Sequence, residues 1–210
     1  MTTQLSEAAE AQIRAGILTG AYAFGERLSD RALADRLGIS RTPIRLALSR
    51  LADSGLVVVK PQSGTTVMNP DPETIRACCD MRALLETGAL RLAVASGQLT
   101  ACSGLVSDAR AALASGDLAR VDALDTAFHN ALVAASGNVF LVQSYRAIAD
   151  FVTAIRYRLP RDPTRYATAI EQHELILEHI RAGNLKLAET QLAAHVARVA
   201  RMSTAQTTGR

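Results

Sequence analysis

Tryptophan is absent and aromatic residues make up only 4% of the chain. No interior built on large flat rings is available, and the abundance of alanine and leucine favours closely packed helices over sheets. Cysteine is scarce and odd in number: Cys78, Cys79 and Cys102. Two of the three are adjacent, which suits neither a disulfide framework nor a chelating spacing and points to a reducing cytosol. No apolar run reaches the length of a membrane span, and Met1 to Ser6 holds no charged segment followed by an apolar one. A soluble cytoplasmic protein with no membrane contact is expected. Net charge is small as well, +3, with a pI near 9.0, which permits nucleic-acid binding without requiring it. Against these absences stands a hydrophobic content of 49% over 210 residues, enough for two small domains with separate cores or one of ordinary size.

Charge is unevenly placed. Six arginines (Arg27, Arg31, Arg36, Arg41, Arg45, Arg50) fall between residues 26 and 50 against three acids. The stretch Leu33 to Leu51 reads as two short helices broken at Gly38, the pattern of a helix-turn-helix. Gly38 closes the first because a C′ position often needs positive φ, and Ser40 is placed to N-cap the second. Pro43 falls in the first turn, where its missing N–H is harmless. Ile44, Ala47, Leu48 and Leu51 make one apolar stripe, which leaves Arg41, Thr42, Arg45 and Ser49 exposed. Arg41 and Arg45 lie one turn apart, roughly 6 Å along the axis. Their guanidinium forks fit a major groove, pairing with guanine O6 and N7 or clamping phosphates. The plainer alternative is a solvated polar face.

Upstream, residues 6 to 19 form a first helix capped by Ser6, with Ala9, Ile13 and Ile17 as its buried rail. Residues 21 to 28 form a loop, and Ser29 caps the next helix. After Leu51 the period changes. Leu56 to Val59 and Thr65 to Val67 read as strands joined by Pro61-Gln62-Ser63-Gly64, a β-hairpin wing. Its tip, Gln62 to Gly64, either lids a small core or touches DNA. Asn69 to Pro72 continues neither structure and makes a linker.

Residues 6 to 68 resemble the winged helix-turn-helix of the GntR family of bacterial transcription regulators, whose hallmark run is matched by Leu37-Gly38-Ile39-Ser40-Arg41-Thr42-Pro43-Ile44-Arg45. The resemblance implies DNA contacts at Arg31, Ser40, Arg41, Thr42 and Arg45, with Ser63 and Gly64 added from the wing tip. One position departs from the pattern: Leu46 stands where members usually carry Glu.

Beyond the linker the pattern is helical throughout, punctuated into about six helices: 73 to 96, 99 to 114, 117 to 136, 138 to 159, 164 to 182 and 185 to 203. Gly137-Asn138 and Gly183-Asn184 are tight turns that make antiparallel neighbours. The expected fold class is therefore mainly α, with a winged helix-turn-helix of three helices plus a hairpin over residues 1 to 68. A linker at 69 to 73 and an all-helical antiparallel bundle over 74 to 210 follow.

Asp125 and His129 are i, i+4, a spacing that lets two side chains grip one ion. His173 lies ten residues before Gly183 and His195 eleven after Asn184, so an antiparallel hairpin brings both imidazoles to similar height. His179 is about 240° around the helix from His173 and is expected to stand apart. Three imidazoles and one carboxylate suit Zn²⁺, Ni²⁺, Co²⁺ or Mn²⁺. Each histidine taken alone could equally be an ordinary hydrogen-bonded residue.

Residues 74 to 203 resemble the FCD ligand-binding domain that follows the winged helix in one GntR subfamily, through Asp125, Phe128-His129, Glu171-Gln172-His173 and His195. The resemblance implies a divalent metal on Asp125, His129, His173 and His195, with a small carboxylate effector in the remaining coordination positions. Arg82 and Glu86 match a recurrent pair whose arginine faces the pocket; an exposed i, i+4 ion pair is the alternative. The function implied is a homodimeric, effector-responsive regulator, most often a repressor, that binds an inverted-repeat operator in double-stranded DNA. It is not expected to be an enzyme. Two rivals remain open at this stage: a helical-bundle metalloenzyme using Glu171 or Glu174 as base, and a DNA-binding protein whose metal is purely structural.

Overall fold

The computed structural model describes residues 2–60 and 64–207. Among them the order of elements is α1 (Thr2–Leu18), β1 (Arg27–Leu28), α2 (Asp30–Leu37), α3 (Arg41–Asp53), β2 (Val57–Lys60) and β3 (Gly64–Val67). Six helices follow: α4 (Pro72–Ser96), α5 (Thr100–Ala114), α6 (Leu118–Ala134), α7 (Val139–Arg156), α8 (Pro163–Arg181) and α9 (Leu185–Thr207). The chain divides into two units. Residues 1–71 and 149–158 form the first, and 72–148 and 159–210 the second. A division at a single linker does not contain this grouping of residues 149–158 with the first unit.

In the first unit the apolar stripes meet as the periodicity requires. Ala9, Ile13 and Ile17 of α1 and Ile44, Ala47, Leu48 and Leu51 of α3 are buried in one core with Leu33, Leu56 and Val67. Gly38 adopts φ 66°, and its N–H closes α2 on the carbonyl of Ala34. Ser29 caps that helix by accepting from the N–H of Ala32. Three expectations need correction. Helix α1 begins at Thr2, and Ser6 is not its cap: it is fully buried and its hydroxyl donates back to the carbonyl of Thr3. The expected loop 21 to 28 ends in strand β1, which pairs antiparallel with β3 (Arg27 with Thr66, Leu28 with Thr65). The wing is thus a three-stranded sheet in the order β1-β3-β2, with β2 pairing β3 from Val57 and Val67 to Lys60 and Gly64. The linker also ends sooner, because Pro72 begins α4, where a helix tolerates the lost N–H.

Residues 149–158 complete the first unit's core. Ala154 is fully buried there with Phe151 packed beside it. Arg158 donates from Nη1 to the carbonyl of Ile17 and from Nη2 to that of Tyr22, at 3.0 and 2.7 Å, and its guanidinium lies 3.7 Å above the Phe24 ring.

In the second unit α4 packs on α9 and α6, α5 on α6 and α8, and α8 on α9. Gly137 and Gly183 have φ of 65° and 74° at their turns. Asn138 caps α7 by accepting from the N–H groups of Phe140 and Leu141. The three cysteines are free. Among the described residues no single helix is long and apolar enough to cross a membrane.

Candidate functional site

Two sites take shape, one in each unit. In the first, α3 presents Arg41, Thr42, Arg45 and Ser49 on its exposed side while its apolar side is buried. Ser40 occupies the N-cap with extended backbone, but its side chain does not accept the expected hydrogen bond from a backbone N–H of the first turn. Arg31 extends from α2 with its side chain 82% exposed, 4.0 Å from Asp35. Gly64 opens β3 with φ 88°, and a Cβ there would meet the Arg27 guanidinium at 3.3 Å. Ser63 and Gln62 lie outside the described residues. Between α3 and the wing runs a cleft of about 700 Å³ whose lining includes Arg27, Asp30, Arg45, Leu48, Val59 and Gly64.

Sequence reasoning passed over two of these. Arg27 sits on the exposed side of β1 beside the wing, and only a two-residue strand puts it there. Asp30 accepts hydrogen bonds from Arg41 Nη2 at 2.9 and 2.8 Å and from Arg45 Nε at 2.7 Å. Asp30 stands 11 and 15 positions before the two arginines, so no spacing within one helix announces the contact.

In the second unit Asp125 and His129 of α6, His173 of α8 and His195 of α9 converge, each offering one ligand atom, all within 4.8 Å of one another. His195 Nε2 lies 3.1 Å from His173 Nε2 and 3.2 Å from His129 Nε2. Asp125 carboxylate oxygens lie 3.8 Å from His129 Nε2 and 3.7 Å from His173 Nε2. Ligand atoms held about 2.0–2.2 Å from one ion are separated by roughly these distances. The three imidazoles are buried. Phe128, next to His129, stacks on the His173 ring with centroids 4.0 Å apart and fixes its plane.

The outer nitrogens decide what the inner ones can do. His129 Nδ1 meets Glu86 Oε2 at 2.7 Å, and His195 Nδ1 meets Gln172 Oε1 at 2.9 Å. Burial alone would raise the Glu86 carboxyl, but the charge of Arg82 and the hydrogen bonds from His129 and Arg82 override it and hold it at about 2. An ionised Glu86 only accepts, so the His129 proton sits on Nδ1 and its Nε2 carries a lone pair. Gln172 imposes the same tautomer on His195. Two lone pairs therefore face each other at 3.2 Å. Protonating His195 would relieve the repulsion, but burial first, and then His173 and His129, push its pKa well below the usual value. His129 is lowered too, by burial and then by Arg82. Three convergent buried imidazoles beside one partly buried carboxylate are the kind of donor set that accommodates a divalent cation.

The exposed reading of Arg82 and Glu86 is corrected. Their side chains are 1% and 0% exposed, and Arg82 Nε donates to Glu86 Oε1 at 2.5 Å. Arg82 Nη1 and Nη2 are buried and make no hydrogen bond among the described residues. Its i, i+4 spacing is identical in buried and exposed pairs, so burial had to come from the packing of α4 between neighbours. His179 is half-exposed and outside the cluster. Glu174 is bonded to Arg110 at 2.7 Å and Glu171 is exposed, so neither is placed as a base at the cluster.

Residues 5–67 match the model of the bacterial regulatory proteins of the gntR family, and residues 77–198 match the FCD domain. A regulator of the helix-turn-helix type in an unstable DNA locus of Streptomyces ambofaciens is 31% identical over 191 residues, covering 88% of this chain and 79% of that one. A protein of Paenarthrobacter nicotinovorans named as a D-xylose utilization operon transcriptional repressor is 30% identical over 183 residues, 86% of this chain and 80% of that one. Among solved structures, a GntR regulator from Rhodococcus sp. RHA1 superposes with a TM-score of 0.83 over 97% of this chain and 98% of its own, at 21% identity, a likeness of fold. The chain belongs to the GntR family of bacterial transcription regulators, in the branch that carries an FCD domain. It is a transcriptional regulator and not an enzyme, as the family and the relatives are.

Proposed function

We propose that the protein is a homodimeric cytoplasmic repressor whose affinity for an inverted-repeat operator is set by a small organic acid bound at a metal centre in the FCD domain. Residues 1–68 supply the DNA-binding part and residues 74–210 the effector-binding and dimerising part. The observation that carries the reading is the convergence of buried His129, His173 and His195 with partly buried Asp125, together with the two terminal nitrogens of Arg82, which are buried with no hydrogen bond among the described residues.

Asp125, His129, His173 and His195 would hold the ion, and Glu86 and Gln172 keep two imidazoles in the tautomer that ligation needs. The ion supplies a Lewis-acidic centre that carboxylate oxygens can ligate. Arg82 adds a fixed positive edge, since Glu86 occupies its Nε and leaves both terminal nitrogens for an anion. In the first unit Arg41, Arg45, Thr42 and Ser40 face the major groove, Arg31 is placed for a phosphate, and Gly64 brings the wing backbone close to the duplex. The repressor sense follows the naming of the Paenarthrobacter relative.

Footprinting of the purified protein on the region upstream of its own gene tests the DNA half. A short protected inverted repeat is expected, with Arg45→Ala costing about 1–3 kcal/mol of operator affinity and relaxing base preference. No protected site, with affinity unchanged in Arg41→Ala and Arg45→Ala, would contradict it.

A further inference from the structure

Asp30 is the first residue of α2, where a carboxylate is favoured by the helix dipole, yet its side chain is turned to α3. Both carboxylate oxygens accept from Arg41 Nη2, and Oδ2 also accepts from Arg45 Nε at 2.7 Å. These bonds leave the Asp30 side chain only 23% exposed, while those of Arg41 and Arg45 remain 53% and 66% exposed. The two arginines use different atoms. Arg45 is held by Nε, the inner nitrogen, and its two terminal nitrogens make no hydrogen bond among the described residues, which leaves them available as a fork. Arg41 is held by one terminal nitrogen and has no such fork to offer. The position after Arg45, which members of the family usually fill with Glu, carries Leu46 here, and Leu46 is 45% exposed. The carboxylate that meets Arg45 comes from α2, across the turn.

Resting on the DNA-binding reading above, we propose that Asp30 is a positioning residue that sets the sequence specificity of this regulator by holding the Arg45 fork in the orientation that reads a guanine. The carboxyl is drawn below its ordinary range by its hydrogen bonds to Arg41 and then Arg45, so at neutral pH it is ionised and can only accept. A free arginine on an exposed helix samples many rotamers, and ordering it on the duplex costs binding free energy. An arginine already pinned through Nε has lost that freedom in the free protein. Asp30 also carries negative charge toward a polyanion, so it lowers affinity for DNA of any sequence. The ordering of Arg45 widens the gap between the right sequence and the wrong one, while the charge lowers both affinities alike and keeps binding to unrelated duplex weak.

The test uses the full-length protein. A site is first selected from a random-sequence duplex pool by the wild-type chain, and binding to it and to unrelated duplex is titrated at one salt concentration. For Asp30→Asn the ratio of selected-site to unrelated-duplex affinity is expected to fall about 5- to 100-fold, with unrelated-duplex affinity equal or higher. Repeating the selection with Asp30→Asn should relax one guanine position per half-site. In an Arg45→Ala background the same substitution should have little further effect on the ratio. Thermal unfolding accompanies each variant: a merely structural role for Asp30 would lower stability and weaken both DNAs alike, and that result overturns the proposal. So does an unchanged ratio, or a tighter selected site in Asp30→Asn, which would make Asp30 a block and not a support. If wild type selects no sequence, the DNA reading itself fails; if it selects one and Asp30→Asn reads it equally well, only this proposal does.

Discussion

His195 lies close to His173 and His129 on its inner side and is hydrogen-bonded to Gln172 on its outer side. The outward tie determines which nitrogen is available for a cation, so it contributes to affinity without touching the ion. Gln172→Ala should weaken divalent-metal binding about tenfold, within the roughly 10–100-fold range of such outer partners, and leave folding intact because Gln172 is half-exposed. Competition with a chromophoric chelator measures it; unchanged affinity would mean that His195 needs no outer partner. The four inner residues were legible in the sequence, because Asp125 and His129 share a helix face and a hairpin of matched arms aligns His173 with His195. Glu86 and Gln172 were not, since each reaches a histidine on another helix, and no local spacing encodes a contact across the bundle.

At the scale of elements, the helix-turn-helix could be read from Gly38, Ser29 and the apolar stripe of α3 because those signals act within one turn of chain. Strand β1 is two residues long and exists only through pairing with β3, so no period could announce it. The same holds for residues 149–158, whose amphipathic pattern looks like any other helix and whose destination in the first unit depends on tertiary contacts. Arg158 donates three hydrogen bonds to the carbonyls of Ile17, Tyr22 and Ala154. Arg158→Ala strips buried acceptors of their donor and removes the cover over Phe24, so the first unit should lose about 1–3 kcal/mol of stability. Urea denaturation followed by circular dichroism checks this, and a change within about 0.5 kcal/mol, the size expected of an ordinary surface substitution, would contradict it. The α2 arginine behaves differently. Arg31 is almost wholly exposed and has only a distant partner in Asp35. Arg31→Ala should therefore leave stability alone, weaken binding to every duplex equally and reduce the salt slope by about one.

Over the whole molecule, an effector can change operator affinity only by the difference in its affinity for the DNA-competent and DNA-incompetent states, typically 1–3 kcal/mol of coupling. The coupling is reciprocal: operator DNA changes effector affinity by the same factor. The cluster is suited to this because its ligands come from three helices, α6, α8 and α9, so a chelating acid favours one mutual arrangement of them. The most direct test is metal analysis beside operator titration, with and without a panel of small organic acids, for wild type, His195→Ala and His179→Ala. Wild type and His179→Ala should retain metal and respond to one of the acids, whereas His195→Ala should lose metal and response while keeping basal operator binding. Full metal and full response in His195→Ala, or loss of both in His179→Ala, would contradict the assignment of Asp125, His129, His173 and His195 as the sensing centre.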